Sequence, residues 1–250
     1  MKKYCILFLI FISCKETLNK IPNEVKSEKK IVSKNIEIKN KILKSDTLHL
    51  ERLQKLGIID YVQINTLQKK FTKDSIGTAF FNFDFIKGNK ILKTVPVTIE
   101  FGAQEGNWYV NDAVMQLENT GQKEDRFFEF TYGFEACGYT QTNFLFYANG
   151  NDFQLVAKNE SVADGGYGMG TIYEPVFSKN MLLGFSSKKI NLESDETKPY
   201  NEKNEDLVQS FSDSIIYRLE NNIWIAKPVT PKDKIYRKEF KTFDDLYKQK

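Results

Sequence analysis

The sequence predicts a mainly β protein, an antiparallel meander folded as a sandwich or an open barrel. A short helical collar is expected at its N-terminal end and a short helix at its C-terminal end. Two observations carry this. From Thr78 to Ile225 the apolar residues recur with a period of two in short runs, and the runs are separated by Gly and Asn turn signals. Aromatic residues make up 14% of the chain and fall mostly inside those runs, as a packed β core requires.

The elements follow in order. From Ser45 the spacing is helical: Leu50, Leu53 and Leu56 share a face, and Gly57 stands where a helix stops. Asp60 with Gln63 resembles a capping box for a second helix striped by Ile64, Leu67 and Phe71, so helical segments are expected within 46–71. In the next run Phe81, Phe83 and Phe85 line one face. Gly88-Asn89 makes a turn, and Val95, Val97, Ile99 and Phe101 alternate with polar residues and Pro96. Pro cannot donate to a ladder, so Pro96 marks an edge strand. Further strands are expected from Trp108, at 128–132, at 143–147, and at 153–156 after the turn Asn149-Gly150-Asn151. Others follow at 172–177, near 182–185, at 215–219, and at 223–225 after Asn221-Asn222. The hairpins around Tyr147 and Tyr217 share a loose pattern, as in a repeated meander. Residues 191–206 read as a solvated polar loop without the alternating ligands and Gly of a calcium loop. Thr242, with Asp245 three residues on, suggests the cap of the terminal helix.

The N-terminus carries an address. Met1-Lys2-Lys3 precedes the apolar run Tyr4–Ile12, which is followed by Ser13 and Cys14. A positive start, a short apolar core and a small residue at the cut site define a secretory signal peptide. Nine apolar residues fall well short of the roughly 20 that span a bilayer as a helix. With the Cys directly after the small residue, residues 1–14 resemble the lipobox of bacterial lipoproteins, with Phe11 where that family prefers Leu. The resemblance implies cleavage before Cys14 and acylation of Cys14, so that membrane lipid is the first partner. Lys15-Glu16 is similar to the short export tags that send some lipoproteins outward, which implies the outer membrane or cell surface rather than the inner membrane. No family resemblance extends into residues 45–250.

The expected organisation is therefore a signal peptide over 1–13, a lipidated Cys14 with a tether over 14–44, and a single mainly β domain over 45–250. The tether region 15–44 holds nine Lys against four Glu, whereas the whole chain carries a formal charge of +3. A basic tether with a mildly acidic head lacks the footprint of a nucleic-acid binder.

Catalytic sets are scarce. The single His, His49, falls on the expected first helix as a surface or collar residue, so nucleophile–imidazole chemistry and zinc ligation have no partners in sequence. Cys137 reads as a core thiol. No cofactor or metal is expected. The most unusual stretch is Asp164-Gly165-Gly166-Tyr167-Gly168-Met169-Gly170, in which four Gly permit close backbone approach. As a ligand loop it would offer Asp164 as a hydrogen-bond acceptor and Tyr167 as a stacking face; as structure it is a bulged connection. These observations point to a lipid-anchored cell-envelope protein whose head binds a protein partner without catalysis. Two alternatives stand beside it. One is a glycan-binding surface lipoprotein, and the other is a polysaccharide hydrolase using carboxylates from among Asp112, Glu129, Glu135 and Asp164.

Overall fold

The period-two runs fold as an antiparallel meander in two sheets. The computed structural model describes residues 42–72, 77–101, 106–112, 114–115, 126–133, 138, 140–164, 167–178, 181–197 and 206–242. The first sheet contains β1 (Lys44–Leu48), β2 (Tyr61–Phe71), β3 (Gly77–Lys87) and β4 (Lys90–Phe101) in that order. The second runs in sequence order from β5 to β12. Its strands are β5 (Asn107–Asn111), β6 (Phe127–Gly133), β7 (Gln141–Asn149), β8 (Asp152–Asp164), β9 (Tyr167–Ser178), β10 (Met181–Ser194), β11 (Asp206–Glu220) and β12 (Ile223–Pro228). A last strand, β13 (Arg237–Thr242), pairs with the start of β11.

Turn chemistry sets the hairpins. Gly88 and Asn89 both have positive φ, as do Asn221 and Asn222, which matches the twist of tight two-residue hairpins. Pro96 lies on β4, an edge strand of the first sheet, where its missing N–H costs no ladder bond.

The helical collar contracts to one short helix, α1 (Glu51–Lys55), which ends before Gly57 at φ 66°. Leu50 and Leu53 are buried as expected, whereas Leu56 is exposed and the residues before them form β1. The expected second helix is β2 instead. Val62, Ile64 and Thr66 point inward at even spacing, and then a bulge at Leu67 inserts one residue against β3. That extra residue turns a spacing of two into a spacing of three, which imitates a helical stripe. Asp60 accepts a hydrogen bond from the Gly88 backbone N–H (2.7 Å) and so anchors the β3–β4 turn. The polar stretch 191–206 is also shorter as a loop than expected, because β10 continues through Ser194 and β11 begins at Asp206. Cys14, Glu135, Cys137 and the expected C-terminal helix lie outside the described residues.

β6, β7 and β8 form a layer covered on both faces. One face presents Phe128, Phe130, Phe144, Phe146 and Phe153 to Phe81, Phe83 and Phe85 of the first sheet. Phe83 sits among Phe130 (5.0 Å between ring centroids), Trp108 (5.1 Å) and Phe146 (5.5 Å), and Phe85 stacks on Phe153 at 4.0 Å. The opposite face presents Phe127, Leu145 and Ala157 to Phe185, Tyr217 and Trp224 from β10–β12.

The two hairpins that share a loose sequence pattern meet here. The Gln154 side-chain amide donates to the Trp224 carbonyl (2.9 Å) and accepts from the Trp224 N–H (2.8 Å). It holds the edge of β12 as a neighbouring strand would.

Truncation of Phe83 to Ala is expected to destabilise the chain by about 3–5 kcal/mol, because it removes a fully buried ring and leaves a cavity. Ile91→Ala, at an exposed position, should stay within about 0.5 kcal/mol. Urea denaturation of both variants checks the contrast.

Candidate functional site

β8 pairs with β7 along Asp152–Ser161 but with β9 only through Val162↔Met169, Ala163↔Gly168 and Asp164↔Tyr167. Beyond that short hairpin the two strands part. Gly168 serves the close approach, since a Cβ there would lie 2.5 Å from the Val162 carbonyl oxygen. Two positions on, a Cβ on Gly170 would meet nothing within 4 Å. The fork opens between these glycines.

A cleft of about 560 Å³ occupies the fork. Its floor comes from the second face of β5–β8, where strand alternation aligns Thr131, Asn143 and Asn159 across three strands. Asn111 and Glu129 form the next row, with Gln141 and Ser161 on the other side. Gly170, Thr171 and Tyr173 of β9 form the wall. A second cleft of about 580 Å³ shares Asn159 and Thr171 and continues past Lys158, Lys189 and Asp213.

The floor is held by side-chain hydrogen bonds. Thr131 donates to the Asn143 side-chain oxygen (2.7 Å), Asn143 donates to Ser161 (2.8 Å), and Asn159 donates to the Tyr173 hydroxyl across the fork (2.6 Å). Glu129 differs from its neighbours. Burial lifts its carboxyl from 4.5 to about 7, and among the described residues no cation or hydrogen-bond donor opposes the effect. Tyr173 is pushed up by burial first and then by the negative charge of Glu129. Burial is the larger influence on both.

The residues singled out in sequence scatter. Asp164 and Tyr167 face each other at the closed end of the fork, outside the cleft lining, and the Tyr167 hydroxyl bonds Ser194. Tyr167–Gly170 thus form the joint from which the fork opens. Asp112 accepts a hydrogen bond from the Arg52 backbone N–H (3.1 Å) and fixes α1. His49 is exposed and contacts Gln54 (3.0 Å). Of the four acids weighed in sequence, only Glu129 lines this cleft among the described residues. The amides and hydroxyls around it are legible in sequence only as polar residues at inward positions of alternating strands. Among the described residues no group of three or more His, Cys, Asp or Glu gathers as a metal site, and no helix is long and apolar enough to cross a membrane. No family model, curated protein or solved structure matches the chain.

Glu129 makes stability fall as pH rises. The folded chain holds this proton more tightly than the unfolded chain, so raising pH from about 4.5 through 7 favours unfolding, by at most about 3 kcal/mol. Asp152 and Glu239, whose carboxyls are held low by lysine and arginine partners, act below that window. Urea titrations at pH 5 and pH 8 should show the loss in the natural chain and a markedly smaller one in Glu129→Gln. Parallel curves for the two would contradict the burial of a free carboxyl.

Proposed function

We propose that this chain is a lipid-anchored binding protein of the cell envelope, held in the membrane through acylated Cys14, whose β head grips a protein partner in the β8–β9 fork without turning it over. The observation that carries the proposal is the lining of the fork. Asn111, Asn143, Asn159 and Gln141 offer amide donors and acceptors, Thr131, Thr171 and Ser161 offer hydroxyls, and Glu129 is the one acid among the described lining residues. Such a surface matches peptide backbone and polar side chains, and most of it is already oriented by its own hydrogen bonds. Glycosidic cleavage by contrast requires two carboxylates roughly 5–10 Å apart. Anchoring by two or more acyl chains would hold the head durably at the membrane, since each buried methylene contributes about 0.8 kcal/mol.

One experiment tests anchor and site together. Cells carrying the full chain with a photo-crosslinking residue at Thr171 or at Glu174, on the opposite face of β9, are fed a palmitate analogue and irradiated. The expected result is palmitate label that disappears in Cys14→Ala, with a protease-sensitive adduct from position 171 and none from position 174. Label independent of Cys14 would overturn the anchor, and the absence of a protein adduct at 171 would overturn the partner site.

A further inference from the structure

The open fork has strand edges as well as side chains. Along Gly170–Tyr173, β9 pairs with β10 on one side only, in the register Gly170↔Ile190 through Tyr173↔Ser187. Strand geometry directs the N–H and C=O of alternate residues to opposite neighbours, so half of these peptide groups face the fork. Across the gap, Ala157–Ser161 of β8 likewise pair with β7 alone. Unpaired edges of this kind are templates for an added strand. The molecule already contains a version of the required contact, because Gln154 clasps the edge peptide of Trp224 through both atoms of its amide.

We propose that the fork receives one extended segment of the partner protein, which pairs as an added strand with the free edge of β9 and sets a lysine or arginine side chain against the Glu129 carboxylate. The inference rests on the partner-binding reading above and names its mode. Charge complementarity selects the basic residue: Glu129 is half-buried on the cleft floor, and no cation among the described residues faces it. Geometry selects an extended chain. The four residues Gly170–Tyr173 span about 13 Å, which suits a strand of four or five residues and leaves little room for a helix. Asn159 and Tyr173, which now bond each other across the gap, would turn their donors to the incoming carbonyls. Backbone pairing would give affinity and the carboxylate would give register.

The test uses the full chain in detergent micelles and a displayed library of random linear nonamers. Selection should enrich peptides with Lys or Arg at one fixed position. Their affinity should fall about tenfold or more in Glu129→Gln, an isosteric change, and in Thr171→Trp, whose ring would fill the cleft that Thr171 lines. N-methylation of the bound peptide should abolish binding at alternate positions and be tolerated between them. An unproductive selection, binders indifferent to both variants, or tolerance of N-methylation at every position would each overturn strand addition. A protein adduct at position 171 would in those cases still support the partner reading, so the two failures are distinguishable.

Discussion

A β-strand has two edges, and the architecture turns on how β8 uses its second one. Its first edge pairs with β7 from Asp152 to Ser161, but its second edge meets β9 over three residues only. Had the pairing continued, the second sheet would be one surface with no opening between β8 and β9. The parting instead lets β9–β12 swing over the second face of β6–β8, where Phe185, Tyr217 and Trp224 close on Phe127 and Leu145. A bulge at Val156, opposite Leu145 and Phe146, marks where β8 bends. The central layer is thereby buried on both faces, and the fork is left as a polar gap between two aromatic cores.

That polar gap is costly in a region where apolar residues would pack more stably. Thr131, Asn143 and Ser161, each half-buried, offset much of the cost by bonding one another. Among the described residues Glu129 has no such compensation, and its carboxyl is lifted by burial. A position where local stability is given up without a structural return is where a binding role is expected. The rest of the fold is locally consistent. Turns fall at asparagines and glycines of positive φ, and the Phe81–Phe85 face meets the Phe128–Phe146 face.

Much of the fold is legible in sequence because hairpins are local. Gly88-Asn89 and Asn221-Asn222 specify their turns within two residues, and the alternation on either side specifies which side chains point inward. β2 is misleading for a physical reason: the bulge at Leu67 breaks the period of two where a single register shift suffices to suggest a helix. The cleft is barely legible. Its floor and wall come from five strands, with Asn111 and Tyr173 62 positions apart in the chain, and only strand register brings them together. The Gly-rich stretch stands out in sequence for permitting close backbone approach, and Gly168 makes one to Val162, but the cleft begins two residues on, at Gly170. Glu129 reads in sequence as one acid among several; that it is the one acid among the described lining residues is a property of the folded chain.

An added strand requires the fork to be open, and residue-resolved amide hydrogen exchange on the full chain in micelles measures that. Open edges predict fast exchange at alternate residues of Gly170–Tyr173 and slow exchange at their neighbours bonded to β10. Uniformly deep protection along all four residues would mean that β8 and β9 are paired throughout, and it would contradict the account.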